Sequence, residues 1–365
     1  MKLLELSEAE YKKFEQKHQY GNIMQEFERS ELREWMGWNT FLLGTKEEGK
    51  VTSSCLLLER NRYAMVQMGP VLDWSDLAFV KKWLKALIDF CKEQGFTKLE
   101  IYPYVLLSVR DKHGEVLEKR DLSKLKKVFA ELGFAYGGET VESPAKAMRW
   151  MSIKDISGMK SMDDVWASYK NTVRTMIRKH SPEVKIEEMK GKEELQDVAL
   201  MFSESNLRNK VHDRDLNYYS KIYDIFGDNV VFQIARKRDN DEPVAAHMFF
   251  VTDHEAVSYA AGISEKYKAL NGMTLLNDAF FKYCLEHGIS RCNLYGVNGD
   301  FEHPNHLLRF KAQFGITVEE YVGEFSVVLN EKAYARDNRK QKVLGVLRAI
   351  KYNSWRIMRK TRQKN

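Results

Sequence analysis

Apolar residues recur at three- and four-residue spacing over residues 76–94, where Phe79, Trp83, Ala86, Leu87 and Phe90 fall on one face. That spacing predicts an amphipathic helix. Gly95 follows it, the residue type that a left-handed helix stop favours, and Lys98–Tyr102 then alternates polar and apolar positions as a short strand does. The same order returns later in the chain: Cys91 and Cys284, Gly95 and Gly288, and Tyr102 and Tyr295 are each 193 residues apart. An interval this long is too large for a solenoid repeat and points to a duplicated domain.

The elements around each copy agree with that reading. The first copy predicts helices near 8–17 and 25–35, strands near 39–43, 50–59 and 64–68, a charged hairpin around 110–118, a helix over 122–132 and a strand over 147–153. The second predicts a basic helix over 162–180, a helix over 193–207, and strands near 230–236, 244–252 and 255–261. A helix over 273–286, a strand over 292–295, a short helix over 306–314 and a strand over 321–329 follow. Strand meander, glycine-marked loop, helix, strand is the order of the GNAT acyltransferase fold, here present twice. The expected class is α/β with mixed sheets. The expected units are 1–148 completed by 324–365, and 149–323, with a cleft between them able to hold two substrates.

Composition changes this picture only locally. At 365 residues the chain can build two cores of ordinary size. The four cysteines (55, 91, 284 and 292) sit in apolar contexts without CxxC spacing, which predicts a reducing compartment and no metal site. The acidic, charge-broken N-terminus predicts no secretory leader, and no apolar run approaches the roughly 20 residues of a membrane span. The expected location is therefore cytoplasmic. The net charge of +6 hides an asymmetry: residues 332–365 carry 12 Lys/Arg against one acid, Asp337. Within that tail Val343, Val346, Leu347, Ile350, Ser354 and Ile357 follow helical spacing. A basic amphipathic helix of this kind suits anionic lipid or nucleic acid, and a plain packing helix with a solvated face fits the same pattern.

Several residues could carry chemistry. Leu307 and Lys311 are four apart, as are Phe310 and Phe314, so the two stripes adjoin on a short helix. A lysine there reads either as a stem packed on the core or as a cation held at a cleft to steady developing negative charge. Lys170, Arg174, Arg178 and Lys179 form a basic stretch beside Trp166 and Tyr169, either a solvated helix face or a set of contacts to nucleic-acid phosphates. No Ser-His-Asp or Cys-His set is evident, and His303 with His306 is poor support for a metal.

Four motifs occur in order: Met68-Gly69-Pro70-Val71-Leu72-Asp73, Leu294-Tyr295-Gly296-Val297, Arg309-Phe310-Lys311-Ala312-Gln313-Phe314-Gly315, and Glu320-Tyr321-Val322-Gly323-Glu324-Phe325. Together they make the chain, from about Tyr20 to Phe325, similar to the FemABX family of tRNA-dependent aminoacyltransferases that build peptidoglycan cross-bridges. The resemblance implies transfer of an aminoacyl group from aminoacyl-tRNA to a stem-peptide amine of a precursor such as lipid II or UDP-MurNAc-pentapeptide. It implies that Phe310 and Lys311 serve the tRNA acceptor end and the reacting ester. It also implies that Arg33, Gly69, Arg214, Tyr218 and Tyr259 serve the precursor, the two arginines at its diphosphate. Lys170, Arg174 and Arg178 are the corresponding expectation for tRNA phosphates. Two departures stand out: Tyr102 occupies a position where some members carry an acid, and no heptad run matches the family's long coiled-coil arm.

An activated ester needs a neutral amine, alignment and a cation near the oxyanion, and alignment alone can supply about 7–11 kcal/mol. No cofactor is required. Neither repeated helix is preceded by the Gly-rich loop that holds acetyl-CoA pyrophosphate; the second has Lys268-Ala269-Leu270-Asn271-Gly272-Met273. The expected form is a monomer, with residues 332–365 touching the inner face of an anionic membrane. Two other readings stay open: a CoA-dependent N-acyltransferase acting on another envelope amine, and an RNA- or membrane-binding module dominated by the tail.

Overall fold

The computed structural model describes residues 1–142, 147–209 and 213–340. The first half holds β1 (Leu4–Glu5), α1 (Glu8–Glu15), α2 (Phe27–Trp35), β2 (Asn39–Glu47), β3 (Lys50–Arg60) and β4 (Tyr63–Gln67). It continues through α3 (Leu77–Glu93), β5 (Lys98–Tyr102), a hairpin of β6 (Leu106–Arg110) and β7 (Val116–Lys119), α4 (Ser123–Glu131) and β8 (Ala135–Tyr136). After β9 (Trp150–Asp155), α5 (Met162–Ala167) and α6 (Asn171–His180), the order begins again. It runs β10 (Val184–Glu188), α7 (Leu195–Asn209), α8 (Leu216–Phe226), β11 (Val230–Lys237), β12 (Pro243–Val251) and β13 (Ala256–Ile263). Next come α9 (Gly272–Glu286), β14 (Arg291–Gly296), α10 (His306–Lys311), β15 (Thr317–Tyr321) and β16 (Phe325–Val328), and residues 331–340 are helical.

The repeated segment folds the same way twice for local reasons. Asp76 caps α3 by accepting from the Phe79 amide, and Trp83, Leu84, Leu87 and Cys91 bury one face of the helix. α3 ends at Gly95 with φ +74°, and α9 ends at Gly288 with φ +70°. One residue further on, the Phe96 amide donates to the Cys91 carbonyl at 2.9 Å and the Ile289 amide to the Cys284 carbonyl at 2.8 Å. This is the bond of a glycine-terminated helix. All four cysteines are free and buried.

Strand order reveals how the copies are joined. One sheet runs β1-β2-β3-β4-β5-β16-β8, the other β10-β11-β12-β13-β14-β9-β15-β6-β7. Each copy thus supplies a final strand to the other copy's sheet: β9 lies between β14 and β15, and β16 between β5 and β8. β6 and β7, which the sequence reading puts in the first unit, extend the second sheet through β6–β15 pairing. One hydrophobic cluster spans both copies, joining Tyr11, Leu32, Leu58 and Met68 to Phe202, Tyr219, Phe250 and Val257. A shared core and exchanged strands fix the two sheets relative to each other.

Other departures from the sequence expectations are physical in origin. The basic helix expected over 162–180 is two helices, α5 and α6, because the chain turns at Ser168–Lys170 and Lys170 adopts an extended conformation as the cap of α6. The strand expected over 321–329 is two strands in different sheets, separated by a stretch that includes Gly323 at φ +96°. α10 ends at Lys311 and passes into a 3-10 turn over Ala312–Phe314. The apolar spacing of residues 343–357 lies outside the described residues.

Candidate active site at the second split pair of strands

β13 and β14 are parallel and hold register only at Ala256↔Cys292 and Val257↔Asn293. Beyond that β14 bends: its register against β9 shifts between Asn293 and Gly296, and Tyr295 sits at φ +65°. A bulky residue in the left-handed region costs on the order of 1–3 kcal/mol and persists only when its surroundings impose it. Here the Asn293 side chain accepts from the Tyr295 amide at 2.8 Å, and Ser152 donates to the Tyr295 carbonyl at 2.8 Å. The split leaves a cleft of about 720 Å³ lined by Tyr259, Ala260, Tyr295, Gly296, Phe202 and Leu307, among others.

Lys311 lies behind the wall of this cleft rather than in its solvent. Its side chain is buried, and Nζ donates to the carbonyls of Leu294 at 2.5 Å, Gly296 at 2.9 Å and Tyr295 at 3.4 Å. Burial pushes the ammonium down from its ordinary 10.5 to about 7. The bent end of β14 thus has its carbonyls satisfied by a side chain where a neighbouring strand would normally do it. Phe310, half-buried, stacks edge-on with Phe314 at 5.4 Å.

A second feature meets the first at Tyr259. Arg29 and Arg33 lie one turn apart on α2, and Arg29 reaches across to the other copy. Arg29 is 3% exposed, donates to the Tyr259 hydroxyl at 3.4 Å, and leaves its Nε without a partner. Arg33 donates to the Gln67 side chain at 3.0 Å and also leaves Nε unpaired. Among the described residues neither has a carboxylate within ion-pair distance. Burial, and then the charge of Arg29, pull the Arg33 guanidinium down to about 10. Arg214 lies 4.8 Å over the Tyr218 ring, and Tyr218 faces Trp35 at 6.4 Å. Burial alone would push the Tyr259 phenol up, but the charges of Arg29 and Arg33 hold it below its ordinary value. Arg29 is buried and Arg33 half-buried, and their mutual repulsion is offset only by the surrounding tyrosines, so an anionic ligand would relieve it.

The structure therefore brings Arg33, Arg214, Tyr218 and Tyr259 together, with Lys311 behind the cleft wall and Phe310 packed on Phe314 next to it. Gly69 stands apart, packed on the Gln25 side chain, where an added Cβ would come within 2.6 Å. Its link to the site is indirect: Gln25 donates to the Gln67 carbonyl at 2.6 Å, and Gln67 is the partner of Arg33. Lys170 and Arg178 are exposed and Arg174 half-buried, and none has an acidic partner among the described residues. The sequence reading missed Arg29, although its i,i+4 relation to Arg33 was available as a signal. Gly272, at the start of α9, packs against Val244 and Ala245 rather than opening onto a phosphate-sized space. Among the described residues no group of three or more His, Cys, Asp or Glu could hold a metal ion.

Known proteins share this fold. The FemAB family matches residues 6–238 and 235–341. The chain belongs to the FemAB family. It is 24% identical to the aminoacyltransferase FemA of Staphylococcus aureus (strain MW2), over 92% of this chain and 97% of that protein. The crystal structure of FemX superposes with a TM-score of 0.77 at 16% identity, covering 92% of this chain and 99% of the other. A tandem GNAT protein from the clavulanic acid biosynthesis pathway superposes at 0.51 with 12% identity, over 80% of this chain and 84% of the other. As a FemAB-family chain it shares an architecture of two GNAT-like units, and its strand order gives the two copies the same arrangement of five leading strands.

Proposed function

We propose that this chain transfers an aminoacyl group from aminoacyl-tRNA to the stem-peptide amine of a peptidoglycan precursor, in the building of interpeptide bridges. One observation carries the reading: a carboxylate-free arginine pair and a cleft at a split strand pair meet at one tyrosine, Tyr259. Arg33, Arg214 and the adjoining Arg29 would hold the precursor's diphosphate, with Tyr218 and Tyr259 against its sugar and phosphate oxygens. Gly69 serves this end through Gln25 and Gln67.

The aminoacyl ester would lie against Phe310 and the wall that Lys311 supports. Two of the lysine's three contacts are short, and the third, at 3.4 Å to Tyr295, is the one it can exchange for a developing oxyanion. Such a donor is typically worth about 3–4 kcal/mol. Lys170, the cap of α6, with Arg174 and Arg178 on α6, would meet tRNA phosphates, and their contribution should weaken with salt. The chain needs no cofactor for this chemistry, because the ester arrives activated.

A peripheral contact with anionic membrane through residues 332–365 is part of the same proposal. The start of that segment is held to the first sheet by Arg62, which donates to Asp337 through Nε at 3.0 Å, and by Lys98, 5.8 Å over the Tyr334 ring. Among the described residues no helix is long and apolar enough to cross a membrane. Purified protein incubated with fully charged tRNA and with UDP-linked or lipid-linked muropeptide should yield a one-residue extension. Absence of extension across all amino acids and both acceptors would overturn the reading.

A further inference from the structure

Lys154, on β9, is 1% exposed and makes no ion pair among the described residues. Its ammonium donates to the Ser168 hydroxyl at 2.5 Å and to the Phe314 carbonyl at 2.9 Å. Its remaining surroundings are the rings of Tyr169 at 5.4 Å and Phe281 at 5.5 Å. A fully buried lysine without a counter-charge is rare, because desolvating the ammonium costs more than a hydrophobic side chain of the same volume would. Packing alone does not require it here, since methionine would fill the space.

What the ammonium does is join three segments that carry the two ends of the proposed chemistry. Ser168 lies at the turn between α5 and α6, and its hydroxyl in turn donates to the Val165 carbonyl at 2.6 Å. Phe314 closes the turn that follows Phe310 and Lys311. The Lys170 amide, at the start of α6, donates to the neighbouring Gln313 carbonyl at 2.9 Å. Gly315, at φ +72°, lets the chain pass against Ser168, where a Cβ would come within 2.6 Å of the Ser168 carbonyl. α10 has only 6 residues, too few to hold its own orientation in water. It is fixed from one side by Lys311 on β14 and from the other by Lys154 on β9.

We propose that Lys154 is a positioning residue for acyl transfer, locking the Phe310–Lys311 segment to the α5–α6 turn and so setting the basic helix in register with the cleft. This rests on the reading that the aminoacyl ester lies at Phe310–Lys311. The lock is supplied by β9, which lies between β14 and β15 in the second sheet, so the reactive segment is held from the strand beside its own supporting strand.

The test uses the full-length protein, total tRNA charged with all amino acids and UDP-linked muropeptide. Lys154→Met, Ser168→Ala and Lys311→Met are compared by kcat, KM for the muropeptide, and Tm. Lys154→Met should lower kcat about 100-fold, the cost of a displacement near 1 Å in a reacting segment. The muropeptide KM should stay within twofold and Tm should hold or rise. Ser168→Ala, which keeps the charge and loosens the same link, should lower kcat severalfold and decides the matter if Lys154→Met does not fold. A merely structural lysine would instead lower Tm and kcat together, with kcat restored on cooling, and that pattern overturns the proposal. Full kcat in both variants beside a crippled Lys311→Met sinks the positioning role alone. Full kcat in Lys311→Met sinks the underlying reading and the inference with it.

Discussion

β4–α3–β5 and β13–α9–β14 are the same construction, yet only one of them opens. In the first copy the parallel strands stay in register over five pairs, from Tyr63↔Lys98 to Gln67↔Tyr102. Just beyond, the Gly69 amide still donates to the Tyr102 carbonyl at 3.2 Å, and Asn22 donates to the Met68 carbonyl at 2.8 Å. The space left near Tyr102, Tyr104, Met148 and Tyr321 is only about 10 Å³. In the second copy the strands part after two pairs and leave about 720 Å³. The difference is how the strand-end carbonyls are satisfied. The first copy uses backbone and amide donors that draw the strands together; the second uses the Lys311 ammonium, which satisfies β14 without bringing a strand alongside. A buried side-chain donor lets a sheet split without leaving unpaired acceptors, at the cost of desolvating a charge.

The largest expected effect comes from removing that donor. Lys311→Met removes the ammonium donor from the Leu294 and Gly296 carbonyls, while Tyr295 keeps the Ser152 hydroxyl, and aminoacyl transfer should fall by about 10²–10³-fold; transfer within threefold of the parent would break the contrast between the copies. Arg29→Met comes next. Removing one of two unpaired like charges should raise the muropeptide KM by roughly 10- to 100-fold, matching the 1.5–3 kcal/mol typical of a charged hydrogen bond. Tm should change little, because the repulsion from Arg33 that the variant ends is offset by the lost contact with Tyr259. A lower Tm with an unchanged KM would make Arg29 a packing residue.

In the closed copy, Gly69→Ala should cost about 1–3 kcal/mol of stability by driving a methyl into the Gln25 side chain, read as a fall in Tm. An unchanged Tm would mean that the first split has slack the structure does not show. The smallest effect is in pH dependence. Lys311 has a folded value near 7 against an ordinary 10.5, so below pH 7 both states carry the proton and the fold bears the full desolvation cost. Between about 7 and 10.5 the unfolded chain binds more protons, so stability should rise with pH over that window. The rise should shrink in Lys311→Met; a chemical denaturation series that finds the same slope in both proteins would assign the effect elsewhere.

Much of this architecture could be read locally. The repeated Cys-Gly-Tyr spacing predicts two helix stops followed by strands because capping depends on a few adjacent residues, and both stops take the same φ and the same closing bond. Phe310 and Lys311 stand out by helical spacing and by family resemblance. The helix α8 is absent from the sequence expectations although Tyr218, Tyr219, Ile222 and Phe226 follow its period, because a run of tyrosines and polar residues reads weakly as apolar. Arg29 and Lys154 were not legible in the same way. A charged residue in a helix or strand is solvated in most proteins, and apart from the i,i+4 spacing of Arg29 and Arg33 no neighbouring residue signals that Arg29 or Lys154 would be buried.

The chain's own order of residues decided which segments become helix, stop and strand, and that it does so twice, because turns and caps are settled within a few residues of themselves. It did not decide that β6 and β7 would extend the second sheet, since a strand's hydrogen bonds are the same whichever edge receives them, and long-range packing makes the choice. Nor did it decide which of two like strand pairs would open, because that depends on whether an amide or a distant lysine reaches the carbonyls at the split.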